Sequence, residues 1–465
     1  MQGTSVLAWI QTWLLPGAVL LGIVIFVHEL GHFLAAKARG VRVLRFSLGF
    51  GPALFSFRRG ETEYRISVFP LGGYVQMAGD TPEEDGHMPD RRDEFLSHPW
   101  PGRVLIAVAG PLANLITAFA VMVAACLVGI SSPDAPSVLG PVASGSAAWH
   151  AGLRQGDRVV ALQGHPVRTF QQLIAVLPDA KSQETLSLEV ERAGHRTRIE
   201  VPAARRDDVL KGLQPVPDPP VVGAVQTGMP AYQAGVKEGD RILAVNGRPV
   251  NVWSDLPDAL HGQVDHDVVL SILRNGQTFA ITVKPIDAEG KRDGTNARIG
   301  IEAPHHGTYV QHYNLLESLD LGARSTVALV GSVYGGMWTT LMRPLYYRQY
   351  LGGPLFIAQA ASEQAKRGVD AFLQFLAMIN IAIMAFNLLP IPMLDGGHIL
   401  LALVQAVRGH GISARGYMRF QKVGLVVIGA LFVFIIYNDP RRLIQRHQAI
   451  DRAVPQGRVV APSPP

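Results

Sequence analysis

The sequence has little cysteine and little charge. Its one cysteine, Cys126, lies in an apolar run, so no disulfide can form within the chain and every domain must be held together by packing. Asp, Glu, Lys and Arg make up 17% of the residues against 48% that are hydrophobic, and residues 1–27 contain none of the four. This balance indicates a membrane protein that carries soluble parts.

Two other features are missing. There is no basic run with interleaved aromatic residues, and the net charge is a modest +5, which argues against a nucleic-acid partner. The N-terminus lacks the basic residues that open a cleavable signal peptide, and its apolar stretch is too long for one. We therefore expect residues 1–36 to form a retained first transmembrane helix.

The apolar N-terminal segment does contain HELGH, from His28 to His32. On an α-helix the two histidines lie on one face, one turn apart, so both can bind one Zn²⁺. Glu29 lies beside them, where a carboxylate can take a proton from an activated water. The plainer alternative is a helix end at which His and Glu meet the membrane interface. Because ionisable groups are costly at membrane depth and usually functional there, the pattern favours a metal site.

Four segments are apolar and long enough to cross a membrane, which predicts a multi-pass α-helical protein. They are residues 1–36, 104–130, 371–395 and 420–437. Lys and Arg cluster between the first two spans, so the loop 37–103 is predicted to be cytoplasmic, and so is the loop 396–419. The tail 438–465 then lies outside. Its basic residues conflict with the positive-inside rule.

A fifth charge-free stretch, 325–342, is rich in Gly, Ser and Thr. Asp395 reaches the depth of HELGH only if the third span runs from the outer to the inner side, so nothing between the second and third spans crosses. We therefore predict that region 305–370 is amphipathic. A helix within 310–345 would lie on the outer surface or dock on the other helices.

The stretch from Arg42 to Gly79 reads as short strands broken by glycine, including Gly49-Phe50-Gly51. It is compatible with an ordinary cytoplasmic β-meander and equally with a hairpin that dips into the membrane against the helices. In the second case, a strand edge at membrane depth would be able to receive an extended peptide. The residues alone leave both possibilities open.

Residues 137–304 contain an internal repeat with an offset of 83 residues. AGLRQGDRVVALQG, which begins at Ala151, matches AGVKEGDRILAVNG, which begins at Ala234. The turn, alternating strand and glycine turn of each copy are typical of PDZ domains, so we predict two extracytoplasmic α+β domains over 137–220 and 221–304. PDZ domains bind extended peptide ends by strand addition. Shielding of the membrane site is a role that the pattern supports equally well.

Two histidines leave a catalytic zinc short of one protein ligand. The candidates for the third ligand are Asp395, His398, Asp80, Glu83 and Glu84. Asp395 ends an apolar span at the matching depth, so it is the best of them. Asn387 and Asn114 are amides on otherwise apolar helices, where a buried amide must be paired. Asn387 either caps a break in the helix at Pro390 or donates to a substrate carbonyl. Asn114 either packs between helices or donates to a substrate carbonyl, and packing is favoured for it.

These residues define a hypothesis for the chemistry. Zinc lowers the pKa of a water and polarises the scissile carbonyl, Glu29 accepts the water's proton and passes it to the leaving amine, and Asn387 stabilises the oxyanion. A substrate at membrane depth should be a transmembrane helix, which must unwind locally before attack. The Gly49–Gly51 hairpin offers a pairing edge that would hold it extended.

Five features in this order resemble the site-2 protease family of intramembrane zinc metalloproteases. They are HELGH, GFG at 49–51, GPLAN at 110–114, the tandem PDZ-like domains and NLLPIPMLDGGH at 387–398. The resemblance covers nearly the whole chain. It implies zinc bound by His28, His32 and Asp395, with Glu29 as the catalytic base. It also implies a membrane-re-entrant β-loop around Gly49-Phe50-Gly51 and a substrate contact for Asn387.

The same resemblance implies a location and a substrate. The protein would lie in the bacterial inner membrane, in contact with lipid, with its PDZ-like domains on the periplasmic side. Its substrate would be a single-pass membrane protein of the anti-sigma-factor type, already trimmed on the outer face, and also remnant signal peptides. This is regulated intramembrane proteolysis in envelope stress signalling. The PDZ-like pair would exclude untrimmed substrates by size, while the basic tail has no counterpart in the family pattern.

Two other classes of protein are compatible with parts of the sequence. One is a catalytically idle membrane scaffold whose PDZ-like domains recruit partners, for which Glu29→Gln would have no effect on any substrate. The other is a zinc transporter, which would need acidic or histidine residues spread along two or more spans. The sequence has only the one HELGH cluster, so a transporter is the least favoured of the three classes.

Overall fold

The computed structural model describes residues 15–82, 88–173, 185–287, 297–304, 307–343, 352–430, 433–434 and 454–456. Contacts divide the protein into two units that each combine two stretches of chain. The first is Met1–Ile130 with His312–Pro440, and the second is Ser131–Gln311 with Arg441–Pro465. All candidate metal ligands belong to the first unit, and the sequence repeat belongs to the second.

The helices and strands have the following bounds in chain order. The helices are α1 (Leu15–Ala38), α2 (Trp100–Val128), α3 (Ala147–His150), α4 (Ala203–Lys211), α5 (Pro230–Gln233), α6 (Asp255–Leu260), α7 (Leu315–Met342), α8 (Pro354–Arg367), α9 (Val369–Asn387) and α10 (Asp395–Arg408). The strands up to Val283 are β1 (Val43–Arg59), β2 (Thr62–Met77), β3 (Ile130–Asp134), β4 (Arg158–Leu162), β5 (His165–Pro166), β6 (Thr185–Arg192) and β7 (His195–Pro202), and then β8 (Ala224–Val225), β9 (Arg241–Val245), β10 (Arg248–Pro249), β11 (Val268–Arg274) and β12 (Gln277–Val283). They are followed by β13 (Ile286–Asp287), β14 (Ala297–Arg298), β15 (Ile301–Glu302), β16 (Gly307–Gln311) and β17 (Val454–Gln456).

Three helices in the described part of the chain are long and apolar enough to cross a membrane, namely α1, α2 and α9. They pack on one another: Leu20 and Val24 of α1 share a buried cluster with Leu376 of α9. A second cluster joins Ala118 of α2 to Ile381 of α9. The predicted fourth span, 420–437, falls partly outside the described residues, within which 414–430 and 433–434 are helical.

The third span ends earlier than we expected. We predicted a span to residue 395, but α9 stops at Asn387 and Asp395 is instead the first residue of α10. Pro390 and Pro392 lie in the connection, where proline cannot continue the helical hydrogen-bond ladder. Asp395 therefore begins a new helix rather than ending the span.

Helix α7 lies in the first unit and packs on α2 and α9. It begins with a capping box in which Asn314 and Glu317 bond each other's backbone. Its buried face carries Ser318, Gly322 and Thr326, and a Cβ at Gly322 would stand 2.7 Å from a Val123 methyl. Of the two placements that we predicted for a helix within 310–345, this is the docked one.

The two strands β1 and β2 form an interleaved sheet rather than a simple hairpin. Residues 43–48 pair with 73–77 on one side and with 63–66 on the other, and residues 53–59 pair with 62–67. The order across the sheet is therefore 73–77, 43–48, 62–67, 53–59, and the first and last segments are its edges. Leu54, Phe55 and Phe57 of the outermost segment are 70, 60 and 52% exposed, so this edge of the sheet presents an apolar surface.

The second unit contains one sheet for each repeat. The strand order is β5-β4-β6-β7 in the first and β10-β9-β11-β12-β17 in the second. Each sheet covers its own apolar cluster, with Leu162 and Leu188 fully buried in one and Ile242 and Leu270 in the other. The last strand, β17, comes from the C-terminal tail and pairs antiparallel with β12.

Both repeats bury the aspartate of their GD pair. Asp157 and Asp240 are each 0% exposed. Arg192 donates through Nε to Asp157 at 2.6 Å, and Arg274 donates through Nε to Asp240 at 2.6 Å. A second guanidinium nitrogen and the backbone N–H three residues before each aspartate donate as well. Each buried carboxylate thus has its own counter-charge and accepts three hydrogen bonds.

Candidate metal centre

The structure brings His28, His32 and Asp395 together, although they are far apart in sequence. Nε2 of His28 lies 3.2 Å from Oδ2 of Asp395, and Nε2 of His32 lies 3.2 Å from Oδ1. The two Nε2 atoms are 3.3 Å apart. Within the described residues, this is the one group of three His, Cys, Asp or Glu side chains with the spacing of a metal site.

These distances fit a tetrahedral zinc site. With bonds of about 2.0–2.1 Å, two ligands of tetrahedral Zn²⁺ stand roughly 3.3 Å apart. Oδ2 of Asp395 is buried and makes no hydrogen bond among the described residues, despite the nearby imidazole. Two imidazole nitrogens and a carboxylate aimed at one point are the donor set of a catalytic zinc site, which leaves a fourth position open.

Helix α1 positions both histidines on its inward face. His28 and His32 are 8 and 7% exposed, and their rings meet edge to face with centroids 4.8 Å apart. Glu29 follows His28 on the helix and is half-buried. Its side chain therefore leaves the helix beside the histidines rather than on the same line. Helical spacing alone accounts for this arrangement.

The chain between α9 and α10 delivers the third donor. Gly396 and Gly397 begin α10 immediately after Asp395, and a Cβ on them would stand 2.1 Å from the Leu389 carbonyl oxygen and 2.4 Å from that of Ile391. Only glycine permits the connection to fold back this closely on the first turn of α10. The two glycines of the DGG motif therefore place Asp395.

Two further glycines let α1 and α2 approach each other. A Cβ on Gly31 would stand 2.3 Å from the Ala109 carbonyl oxygen, and a Cβ on Gly110 would stand 2.2 Å from Nε2 of His32. Gly110 thus provides the space that the His32 imidazole occupies. Sequence reasoning used Gly110 only as part of a family motif and missed this role, because the contact joins two distant stretches of chain.

Behind the histidines, α2 also supplies hydrogen-bond partners. Nδ1 of His32 lies 2.8 Å from the carbonyl oxygen of Ile106. Nδ1 of His28 lies 3.3 Å from Nδ2 of Asn114, whose side chain is fully buried. Asn114, predicted to pack or to contact substrate, is therefore directed at a histidine.

The edge segment 73–77 of the sheet runs beside Glu29. A Cβ on Gly73 would stand 3.2 Å from Cγ of Glu29, and the backbone of Val75 interacts with the Glu29 carboxylate. Gly49 and Gly51 have φ of +88° and +87°, which favours glycine, and they form the bend at which β1 changes partner. Phe50 between them is 48% exposed and stacks on Tyr74.

His398 and Asp80, two of the other candidate ligands, have other contacts. His398 packs edge to face on Phe95 at 5.8 Å, and burial lowers the pKa of its imidazole. The backbone carbonyl of Asp80 accepts from the Tyr417 hydroxyl at 3.0 Å, and burial raises the pKa of the Asp80 carboxyl. Glu83 and Glu84 lie outside the described residues. Asn387 is half-buried at the end of α9, and no described hydrogen bond joins it to the three-residue cluster.

Comparison with known proteins gives a consistent result. The model of peptidase family M50 matches residues 16–431. A Treponema pallidum protein named "Putative zinc metalloprotease" is 32% identical over 447 residues, which covers 91% of this chain and 97% of the relative. The regulator of sigma-E protease RseP of Escherichia coli is 30% identical over 453 residues, with the same coverage of both chains.

Proposed function

The chain belongs to peptidase family M50 and is a zinc metalloprotease, and we propose that it cuts a transmembrane segment of a membrane protein by peptide-bond hydrolysis. The observation that carries this proposal is the convergence of His28, His32 and Asp395 at the distances of a tetrahedral zinc site. Two of these residues lie on a helix that is long and apolar enough to span a membrane. Hydrolysis would therefore take place at membrane depth.

In the proposed mechanism, His28 and His32 would hold one zinc ion through Nε2, and Asp395 would hold it through its carboxylate. Zinc, when bound, supplies Lewis-acid activation of a water and of the scissile carbonyl. Glu29 accepts the proton of the attacking water at its carboxylate and transfers it to the nitrogen of the leaving amine. The position of Glu29 next to His28 on α1 supports this role.

A transmembrane substrate must lose its helical hydrogen bonds before its backbone is accessible. The edge segment 73–77 passes beside Glu29 and, in the described part of the chain, pairs with a strand on one side only, which supports capture of the substrate as an added strand. The Gly49-Phe50-Gly51 bend lies in the same sheet, and we propose that it guides the substrate to this edge. Asn387, close in sequence to Asp395, is proposed to donate to the substrate carbonyl.

We further propose that the substrate is a single-pass protein of the anti-sigma-factor type, trimmed on its outer face, and that remnant signal peptides are also cut. The relative named regulator of sigma-E protease supports a part in sigma-E regulation. The two repeats of the second unit would be PDZ-like domains on the periplasmic side of the inner membrane that exclude untrimmed substrates. Pairing of β17 with β12 in the same unit supports an outward-facing tail and an even number of spans after residue 311.

The central test uses a purified single-pass substrate with its outer domain removed, incubated with the full-length enzyme in detergent. We expect Glu29→Gln to keep its zinc and to leave the substrate intact. Glu238→Gln, at an exposed glutamate of the second unit, is the matched control and should cut at the rate of the unmodified enzyme. Cleavage by Glu29→Gln at that same rate would rule the proposed mechanism out.

A second experiment tests the size filter. Deletion of residues 137–304 should allow cleavage of a substrate that retains its outer domain, while the rate for the trimmed substrate stays the same. If the untrimmed substrate remains uncut by a deletion variant that still cuts the trimmed one, the filter is refuted.

A further inference from the structure

One face of α2 backs the metal centre at three positions spaced four residues apart. Ile106 presents its carbonyl oxygen to His32, Gly110 leaves room for the His32 ring, and Asn114 reaches His28. A spacing of four places these residues one above another on the helix. Helix α2 is therefore the wall against which both imidazoles rest.

The bond of His32 determines where its proton lies. A backbone carbonyl can only accept, so at 2.8 Å from the Ile106 oxygen the Nδ1 atom of His32 must carry hydrogen. In the neutral imidazole, Nε2 then has a free lone pair. This is the atom that faces Asp395, so Ile106 selects the tautomer that can bind a metal.

His28 has a side-chain amide at the corresponding place. With Nδ2 of Asn114 facing Nδ1 of His28, the amide donates and the imidazole proton lies on Nε2, the atom that faces Asp395. That proton blocks the lone pair a metal would use. The same orientation leaves Oδ1 of Asn114 buried without a hydrogen-bond partner among the described residues, which is costly.

A half-turn of the Asn114 amide about its last side-chain bond removes both problems, because the oxygen and the nitrogen have nearly the same shape. Oδ1 then accepts from Nδ1–H of His28, and Nε2 of His28 is free. We propose that Asn114 is a positioning residue that fixes the metal-binding tautomer and ring orientation of His28 through its side-chain oxygen. The inference deepens the proposed function and rests on its metal ligands.

Two nearly isosteric replacements separate this role from simple packing. Asn114→Asp retains the acceptor oxygen and Asn114→Leu removes it. A packing role would make Leu the better tolerated of the two, because Asp buries a charge. A positioning role predicts the opposite order for zinc affinity. Asn380 provides the matched control, since it is equally buried and donates to the Leu376 carbonyl of its own helix.

The experiment measures the zinc affinity of the purified full-length protein in detergent by competition with a chromophoric chelator. Asn114→Leu should bind zinc roughly 10–100-fold more weakly. Asn114→Asp should bind at least as tightly as the unmodified protein, and Asn380→Leu should bind equally. The absorption bands of the cobalt-substituted protein should shift in the Asn114 variants and not in the Asn380 variant.

Zinc affinity of Asn114→Leu equal to that of the unmodified protein would overturn the proposal, even if cleavage falls, because it would assign Asn114 to substrate or to packing. If Asn114→Leu does not fold, Asn114→Asp tests the proposal alone. Weaker zinc binding by Asn114→Asp than by the unmodified protein would also overturn the proposal. His28→Ala is measured in parallel. Retention of zinc by that variant would refute the ligand set itself, so the two failures are distinguishable.

Discussion

The two units of the protein bury ionisable side chains in opposite ways. In the second unit, Asp157 and Asp240 are each paired with an arginine of the same repeat and each accept three hydrogen bonds. In the first unit, His28, His32 and Asp395 aim their lone pairs at one point, and Oδ2 of Asp395 has no hydrogen bond in the described structure. Burial of a charge is costly unless it is neutralised.

This difference separates a structural site from a functional one. An aspartate with its own arginine completes the electrostatics of a domain core and leaves no ligand position open. Two imidazole nitrogens and a carboxylate that converge on one point leave a position that a cation can fill. The same residue type, aspartate, therefore stabilises one unit and is proposed to bind a metal in the other, and the neighbours decide which.

The largest expected effect comes from removing a ligand in the first unit. His28→Ala or Asp395→Ala should lose zinc and reduce cleavage at least about a thousandfold, since metal activation supplies several kcal/mol. Metal analysis and substrate cleavage check this. Amide exchange in β9 and β11 of the second unit should not change, and faster exchange there would contradict the separation of the two units.

The reverse experiment breaks a pair in the second unit. Asp240→Ala leaves Arg274, which is 13% exposed, without its counter-charge, and should lower the free energy of unfolding of that domain by about 3–5 kcal/mol. Amide exchange in β9 and β11 measures this loss. Zinc content should remain at one per chain. Loss of zinc in this variant would mean that the aspartates of the two units are not independent.

A smaller effect is expected from a steric change that leaves all donors in place. Gly110→Ala would put a methyl group 2.2 Å from Nε2 of His32, so the ring must move. A displacement on the order of 1 Å lowers catalysis about a hundredfold. Gly22→Ala on α1, which meets nothing within 4 Å, is the control for an added methyl group. Equal activity of the two variants would show that the ring is not held as described.

The smallest predicted effect compares the repeats with each other. Arg192 is 47% exposed whereas Arg274 is 13% exposed and also lies over the Phe279 ring. If Arg192 is removed, water can reach Asp157 more readily than it can reach Asp240 after removal of Arg274. Arg274→Met should therefore lower the free energy of unfolding of its domain more than Arg192→Met does, by on the order of 1 kcal/mol. Denaturant unfolding of the two variants gives the difference. The opposite order would show that exposure does not govern these pairs.

Local patterns in the sequence account for much of the first unit. Apolar length predicts α1, α2 and most of α9, and helical spacing places His28, Glu29 and His32. The prediction that Asp395 meets the histidines depended on matching depths in the membrane, and the structure places its carboxylate oxygens 3.2 Å from the two Nε2 atoms. A break at Pro390 was one possibility raised by the sequence, but the end of α9 at Asn387 and the start of α10 at Asp395 were not predicted, because where a chain folds back at proline and glycine depends on what it packs against.

The features that the sequence did not predict depend on contacts between distant parts of the chain. Neither the space at Gly110 nor the partner of Asn114 is readable without knowing that α2 lies behind α1. The arginine clamps did leave a trace in the sequence, since Arg192 and Arg274 each stand two residues before a turn glycine. Arg192 and Arg274 are 82 residues apart, whereas the repeat has an offset of 83 residues. The two arginines therefore do not align when the two copies are compared at a fixed offset.

The pairing of β17 with β12 has a practical consequence for anyone who isolates the second unit. A recombinant fragment that stops at Gln311 lacks Val454–Gln456 and leaves the outer backbone groups of β12 uncovered. An exposed edge strand of this kind promotes self-association through strand pairing between molecules. A soluble version should therefore carry the tail, fused through a flexible linker to its own C-terminus.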